Sequence, residues 1–215
     1  MSENERLYIP EDAPYVNALF LQMLRGVEEV LGENGLNAVL RSSDLARYIG
    51  SPPPNNLESG VLAREYARLN EAIETFTGRA GKGMLQRIGR ASFRWGIKEQ
   101  AAVMGLANIA LKALPHRLRK RAILLGLRKG LMDIVDFGKV DVEDRDGVMV
   151  YTDHACTICH TRHGGDRGIC HLYVGTLGEA MAYATGKDFK AFEIVETHCR
   201  ALGDAYCRFE IRDRD

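Results

Sequence analysis

The chain has 215 residues, 46% of them hydrophobic, and its 29 basic side chains balance 29 acidic ones. This length can bury a large core, and the balanced charge excludes a general attraction to nucleic acid or to an anionic membrane. We therefore expect one domain over residues 1–215 with no direct nucleic-acid binding. The N-terminus is polar and lacks the pattern of an export signal. The most apolar stretch, Ala101–Leu114, is interrupted by Asn108 and Lys112 and falls short of the ~20 apolar residues that cross a bilayer. The expected location is cytoplasmic, with no transmembrane segment.

Residues 1–135 are expected to form a helical part of the domain. Apolar side chains recur there at intervals of three and four, which is typical of amphipathic helices. A glycine-rich break at 32–35 and a proline-rich stretch at 50–56 interrupt the pattern. The predicted helices are Pro14–Leu31, Leu36–Tyr48, Leu57–Thr77, Met84–Leu114 and His116–Val135.

Residues 136–215 change to the alternating pattern of strands. An Asp146-Gly147 pair between two alternating segments predicts a hairpin. The expected elements, in chain order, are strands Lys139–Glu143 and Val148–Tyr151, a helix Cys170–Ala184, and strands Phe189–Val195 and Tyr206–Arg212. The succession of hairpin, helix and hairpin predicts an α+β fold in which N-terminal helices precede a small antiparallel sheet.

All five cysteines lie between Cys156 and Cys207. In a reducing compartment such clustering favours metal binding or redox chemistry over disulfides. The second hairpin is expected to bring Cys199 and Cys207 together, with Glu196 close by and Cys170 arriving from the start of the helix. Thiolates and carboxylates at tetrahedral corners are typical of structural zinc. We therefore predict that Cys170, Glu196, Cys199 and Cys207 hold one zinc ion.

This ligand set places a condition on the strand that carries Glu196. Side chains three positions apart on a regular strand face opposite sides, so Glu196 and Cys199 can share an ion only where the strand twists, bulges or ends.

A second group of candidate ligands precedes the helix. Cys156-Thr-Ile-Cys159-His160 has the spacing of covalent haem attachment, which the lack of an export signal disfavours. A redox-active pair fits the same residues. So does a second metal site formed by Cys156 and Cys159 with His160 and His163, to which His154 and His171 are alternative ligands. An iron–sulfur cluster that uses Cys156, Cys159, Cys170 and a later cysteine is the alternative cofactor, and it competes with zinc for Cys170.

The motifs around these cysteines resemble the 4-vinyl reductase domain family and the sensory domains of phenol- and xylene-responsive activators. The resemblance depends on Cys170-His-Leu-Tyr-Val-Gly175 and on Glu196-Thr-His-Cys199-Arg-Ala-Leu-Gly203-Asp-Ala-Tyr-Cys207. The segment Gly83-Met-Leu-Gln-Arg-Ile-Gly-Arg-Ala-Ser-Phe93 is also similar to the family.

The resemblance implies a fold like that of vesicle-tethering subunits or nitric-oxide-binding ligand domains, and a homodimer. It also implies a channel for a hydrophobic, aromatic or tetrapyrrole ligand, with Met84, Phe93, Trp95 and Tyr173 as candidate lining residues. The leading expectation is a sensor or carrier of a hydrophobic small molecule, with the metal as a structural element.

Two other functions stay open at this point. An enzyme or accessory protein of bacteriochlorophyll synthesis is implied by the family, although the chain has no dinucleotide fingerprint and a four-ligand thiolate site leaves no open position for substrate. Whether the protein is an enzyme is therefore uncertain, with binding favoured. Redox sensing by Cys156 and Cys159 is the other alternative.

Overall fold

The computed structural model describes residues 6–100 and 111–214. The helices are α1 (Asn17–Ser42), α2 (Ala63–Thr77), α3 (Gly81–Gln100), α4 (His116–Ile134) and α5 (His171–Thr185). The strands are β1 (Pro14–Tyr15), β2 (Val61–Leu62), β3 (Val140–Arg145), β4 (Val148–Asp153), β5 (Phe192–His198) and β6 (Cys207–Asp213). None of the helices in these two ranges is long and apolar enough to cross a membrane.

The helical part follows the sequence pattern with shifted boundaries, and the second predicted helix, Leu36–Tyr48, ends at Ser42 before a separate 3₁₀ turn at Ala46–Tyr48. Gly32 has φ 73° and ψ 170°, which breaks the helical backbone inside α1 where the sequence predicts an interruption. The third predicted helix begins at Ala63 rather than Leu57, because the residues before it pair as β2 with β1. The predicted helix Met84–Leu114 extends into residues 101–110, which lie outside the described residues, as does most of the apolar stretch Ala101–Leu114.

The C-terminal strands form one antiparallel sheet in the order β3-β4-β6-β5. Asp146 and Gly147 both have positive φ, 50° and 93°, as a two-residue turn between twisted strands requires. Strand β5 begins at Phe192 rather than Phe189, because residues 189–191 form a short 3₁₀ turn, in which the side chain of Asp188 accepts the backbone N–H of Lys190. The α+β class and the hairpin–helix–hairpin order predicted from the sequence are confirmed.

Helix α5 packs between the sheet and the N-terminal helices, with α3 and α4 against it. Two glycines let α3 and α5 approach closely. A β-carbon on Gly175 would overlap the carbonyl oxygen of Gln86, and one on Gly89 would overlap the carbonyl oxygen of Leu172. This backbone contact fixes the position of α5, and therefore of Cys170, which caps its N-terminus.

Candidate functional site

Four separate segments bring the five cysteines into one buried cluster. Cys156 and Cys159 lie in the loop after β4, and Cys170 directly precedes α5. Cys199 follows the last residue of β5, and Cys207 is the first residue of β6. Each cysteine is at most 1% exposed. We call these five residues together with Glu196 the thiol cluster.

The sulfur atoms of the thiol cluster are in mutual contact. The shortest separations are 3.4 Å between Cys159 and Cys207, 3.6 Å between Cys156 and Cys170, and 3.7 Å between Cys170 and Cys207. Cys199 lies 4.0 Å from Cys170. All five thiols are free rather than joined in disulfides.

Glu196 reaches the cluster through an irregularity in its strand. The pairing of β5 with β6 shifts between Glu196 and His198, so Thr197 is an extra residue in the ladder. The shift is the bulge that the sequence argument required for Glu196 and Cys199 to lie on one side. Glu196 Oε2 accepts the backbone N–H of Cys170 at 3.0 Å. Its Oε1 is buried and has no hydrogen-bond partner among the described residues.

The cluster divides into two overlapping sets of four ligand atoms. In one set, an oxygen of Glu196 and the sulfurs of Cys170, Cys199 and Cys207 all lie within 4.8 Å of one another. In the other, the sulfurs of Cys156, Cys159, Cys170 and Cys207 satisfy the same distance. The structure thus brings together the four ligands predicted from the sequence and adds Cys156 and Cys159 to them.

The protons of the cluster are shared because its groups are buried and close together. Burial raises the pKa of Cys170 and Cys207 above the ordinary thiol value, and their S–H groups then act as donors to neighbouring sulfurs. Cys156 raises the pKa of Cys159, but hydrogen bonds from the other thiols lower it to about 6 overall. Burial and the nearby Cys199 raise the pKa of Glu196 to about 8.

The two histidines expected beside Cys156 and Cys159 lie apart from the sulfurs. Nε2 of His160 lies 3.0 Å from the carbonyl oxygen of Pro10, and the side chain of His163 is exposed. Neither histidine belongs to a possible ligand set among the residues that the structure describes.

An apolar cavity of about 120 Å³ lies between the helical part and the sheet. Its walls come from β1, α1, α2, α3, α4, β4, α5 and the loop that carries Cys156 and Cys159. The lining residues are Tyr15, Leu19, Gln22, Tyr66, Ser92, Phe93, Leu127, Gly130, Leu131, Ile134, Tyr151, Thr157, Ile158, Leu172, Tyr173 and Thr176. We call this space the apolar cavity.

Two of the four pocket residues expected from the sequence line the apolar cavity. Phe93 and Tyr173 belong to its wall. Trp95 instead lies on the outer side of α3, where its indole N–H donates to Glu29 and Arg25 stacks over its ring at 5.1 Å. Met84 is half-buried and is not part of the wall. Trp95 differs because it lies two residues beyond Phe93, which turns it to another face of α3.

Few polar groups face the apolar cavity. Gln22 is buried, and its amide nitrogen has no hydrogen-bond partner among the described residues. The Tyr173 hydroxyl donates to Asp153 at 2.8 Å, and Asp153 does not line the cavity. Burial raises the pKa of Tyr15 and Tyr151 far above the ordinary tyrosine value, so these phenols remain neutral.

The apolar cavity and the thiol cluster share two segments of chain. Thr157 and Ile158 line the cavity, while the residues on either side of them, Cys156 and Cys159, belong to the cluster. At the start of α5, Leu172 lines the cavity two positions after Cys170. A movement of the cysteine sulfurs would therefore also move neighbouring residues that form the wall of the cavity.

A second, open cleft of about 870 Å³ runs along α3, α5 and β5 on the other side of Glu196. Nine charged side chains line it together with apolar ones, and we call it the charged cleft; the charged residues are Arg79, Lys82, Arg90, Arg167, Lys190, Arg214, Glu74, Glu193 and Glu196. His171 also lines it.

Comparison with solved structures identifies the architecture. The chain has the fold of H-NOX domains. An oxygen-binding H-NOX domain related to soluble guanylate cyclases aligns with a TM-score of 0.58 at 11% identity, covering 94% of this chain and 96% of that one. An H-NOX protein from S. oneidensis in the Fe(II)NO ligation state gives 0.54 at 10%, covering 91% and 99%. A mutant of T. Tengcongensis H-NOX gives 0.57 at 11%, covering 93% and 98%.

These comparisons correct two expectations drawn from the sequence. No family model matches the chain, and no curated protein matches it. The resemblance to the 4-vinyl reductase family is therefore wrong, because the structural neighbours are H-NOX domains, one of them described in terms of heme distortion. The prediction of zinc, with an iron–sulfur cluster as the alternative, is wrong for the same reason, since the neighbours are haem proteins. The likeness to nitric-oxide-binding ligand domains is confirmed at the level of the fold.

Among the described residues, those that line the apolar cavity do not fit haem. A cavity of about 120 Å³ is small beside the several hundred Å³ that even a drug-sized ligand occupies. Haem iron takes an axial histidine, cysteine, methionine or tyrosine, yet no described histidine, cysteine or methionine lines the cavity. The buried tyrosines there are held as neutral phenols. His171 opens instead onto the charged cleft.

Proposed function

We propose that the chain binds a single-ring small molecule in the apolar cavity. An apolar cavity of roughly 150 Å³ binds benzene, so a cavity of about 120 Å³ limits the ligand to one small ring at most. Tyr66, Phe93 and Tyr151 supply aromatic faces against which such a ring packs.

The observation that carries this proposal is the unpaired amide of Gln22. A buried donor without a partner costs about 1–3 kcal/mol, so it is rarely retained without a use. A ligand that presents one oxygen to this nitrogen would satisfy it. The favoured ligand is therefore an aromatic ring with a single hydrogen-bond acceptor, as in phenol.

Binding of phenol and toluene tests the proposal, because the two molecules have the same number of heavy atoms and differ in the polar group. We expect phenol to bind more tightly than toluene in calorimetric titrations of the whole chain. Gln22→Met, which keeps the length of the side chain and removes the donor, should weaken phenol binding by about 2- to 10-fold. Toluene binding should change little. Gln86→Met on α3 is the matched control, because Gln86 lines the charged cleft. Failure of both molecules to bind the wild-type chain would exclude a single-ring ligand.

We also propose that Cys170, Glu196, Cys199 and Cys207 bind a thiophilic metal ion that stabilises the junction of α5 with the sheet. Their ligand atoms converge from three segments, and all four side chains are wholly or mostly buried. An ion that binds the folded chain alone adds its binding free energy to stability. Metal analysis of the purified chain, and melting before and after chelation, test this part. An unchanged melting temperature after complete metal removal would exclude the structural role.

A redox function of Cys156 and Cys159 is a second candidate, favoured by the 3.4 Å contact between Cys159 and Cys207 and the 3.6 Å contact between Cys156 and Cys170. Sulfurs this close can form a disulfide after a small movement. Counting reactive thiols before and after peroxide treatment tests it, with Cys156→Ser as control, and an unchanged count would exclude it. The homodimer expected from the sequence stays a prediction that multi-angle light scattering measures.

A further inference from the structure

The two ligand sets of the thiol cluster have two members in common. Cys170 and Cys207 belong to both, while Cys156 and Cys159 complete one set and Cys199 and Glu196 complete the other. The arrangement corresponds to two tetrahedra that share one edge. The shared edge is the 3.7 Å separation between the sulfurs of Cys170 and Cys207.

The sulfur separations match those of tetrahedral thiolate sites. With a metal–sulfur bond of about 2.3 Å, the sulfurs at two corners of a tetrahedron lie about 3.8 Å apart. In the first set, which contains Cys156 and Cys159, three sulfur separations are 3.4, 3.6 and 3.7 Å. In the second set, which contains Cys199 and Glu196, two sulfur separations are 3.7 and 4.0 Å. These sulfur pairs are therefore near the spacing that an ion requires, and the remaining ligand atoms of each set lie within 4.8 Å of one another.

A single ion would leave part of the cluster without a partner. An ion in the second set would leave the sulfurs of Cys156 and Cys159 buried beside it as unused ligands. An ion in the first set would leave Cys199 unused, and Oε1 of Glu196 would keep its present lack of a hydrogen-bond partner. One ion therefore uses only four of the six ligand groups that converge in the cluster.

We propose that the thiol cluster is a dinuclear site for two thiophilic divalent metal ions, with Cys170 and Cys207 as bridging thiolates. Cys156 and Cys159 are the terminal ligands of one ion, and Cys199 and Glu196 are those of the other. The inference rests on the metal site proposed above and adds a second ion to it. All six ligand groups then take part.

The surroundings offset part of the charge that such a site carries. Five thiolates and one carboxylate around two divalent ions leave a net charge of about −2. Arg200 is buried beside the cluster, and its backbone N–H lies 3.4 Å from the sulfur of Cys207. Its guanidinium donates to the carbonyl oxygens of Leu7, His154 and Ala205, which hold the cation in place. Cys170 caps α5, where the positive end of the helix dipole also favours anionic ligands.

The test is a cadmium titration of the reduced, metal-free chain, followed by native mass spectrometry and by the thiolate-to-metal charge-transfer absorbance. Two equivalents bound to the wild-type chain support the proposal. One equivalent overturns the dinuclear site and leaves the single-ion proposal standing, whereas no binding overturns both. The double variant Cys156→Ser/Cys159→Ser should bind one equivalent, and so should Glu196→Gln/Cys199→Ser.

A titration with cobalt(II) tests the bridging thiolates without any substitution. The electron paramagnetic resonance signal of the first cobalt ion should grow up to one equivalent and then fall as a second ion couples to it through the shared sulfurs. Two bound ions whose signal rises in proportion to added metal would overturn the bridging role of Cys170 and Cys207. This measurement keeps the proposal testable if the serine variants fail to fold.

Discussion

Glu196 and Cys170 are joined by a hydrogen bond of 3.0 Å, in which the backbone N–H of Cys170 donates to Oε2 of the carboxylate. The bond ties the bulged end of β5 to the first turn of α5. It also positions Glu196 beside the sulfurs, because a carboxylate held at one oxygen presents the other to the cluster. One side chain thus serves the fold and the proposed metal site.

Glu196→Gln separates these two roles. The amide oxygen of glutamine can still accept the Cys170 N–H, so we expect the free energy of unfolding of the metal-free chain to change by less than about 1 kcal/mol. Loss of the anionic ligand should weaken metal binding by about 10-fold or more. Denaturant unfolding of the metal-free chain and competition with a chelator measure the two effects. Glu193→Gln is the matched control, because Glu193 is exposed on the same strand. An equal loss of metal affinity in both variants would argue against Glu196 as a ligand.

Leu172→Ala should enlarge the apolar cavity and change its ligand preference. Leu172 is 3% exposed and lines the cavity, so its truncation should cost about 2–5 kcal/mol of stability. The added space should favour naphthalene over toluene, and the bound ligand should restore part of the lost stability. Leu40→Ala is the control, since Leu40 is fully buried in α1 away from the cavity. Thermal shifts with both ligands measure the preference, and parallel behaviour of the two variants would contradict the location of the site.

Gly175→Ala tests the close approach of α3 and α5. A β-carbon at this position would overlap the carbonyl oxygen of Gln86, so the helices must separate, and we expect a loss of about 2–4 kcal/mol. Gly178→Ala lies one turn later, where the added carbon would meet only the side chain of Ile194 at 3.5 Å. Helix propensity then predicts a gain of up to about 1 kcal/mol. Urea denaturation measures both. A similar result for the two variants would show that this contact does not fix α5.

Local sequence signals were sufficient for much of the fold. The Asp146-Gly147 turn, the interruption at Gly32 and the alternation of Cys207, Phe209 and Ile211 each depend on neighbouring residues, and each is present in the structure. The irregularity of β5 near Glu196 was predicted from the candidate ligand set, because Glu196 and Cys199 can lie on one side only if the strand is not regular between them. Strands β1 and β2 gave no signal, since each has two residues and forms only by pairing with the other.

The apolar cavity and the full thiol cluster lie beyond such signals. Gln22, Thr157 and Leu172 meet from distant parts of the chain, and nothing in the pattern around Gln22 distinguishes it from a solvated helix residue. Cys156 and Cys159 reach Cys170 and Cys207 through an irregular loop, whose path local periodicity does not determine. The motif spacing identified the sulfurs as candidate ligands, but only the tertiary packing brings all five together.

The ion pair between Lys120 and Asp213 predicts how stability depends on acid. Lys120 is 2% exposed on α4, and its Nζ lies 2.5 Å from the carboxylate of Asp213 at the end of β6. Partial burial raises the pKa of Asp213, but hydrogen bonds from Lys120 and His116 outweigh this and hold it below the ordinary value. Because the folded pKa is lower than the unfolded one, the pair stabilises the chain above about pH 4, the unfolded value of aspartate, and this contribution is lost as the pH falls through the folded pKa.

Asp213→Asn should remove this contribution and leave the buried ammonium of Lys120 without its anionic partner. We expect a loss of about 1–3 kcal/mol at neutral pH, less than for a fully buried pair because Asp213 is 36% exposed. The difference between wild type and variant should shrink as the pH falls below about 4. Urea unfolding at a series of pH values measures it, with Asp166→Asn, an exposed change in the loop before α5, as control. A difference that stays constant down to the lowest pH would mean that the ionised carboxylate of Asp213 does not stabilise the fold.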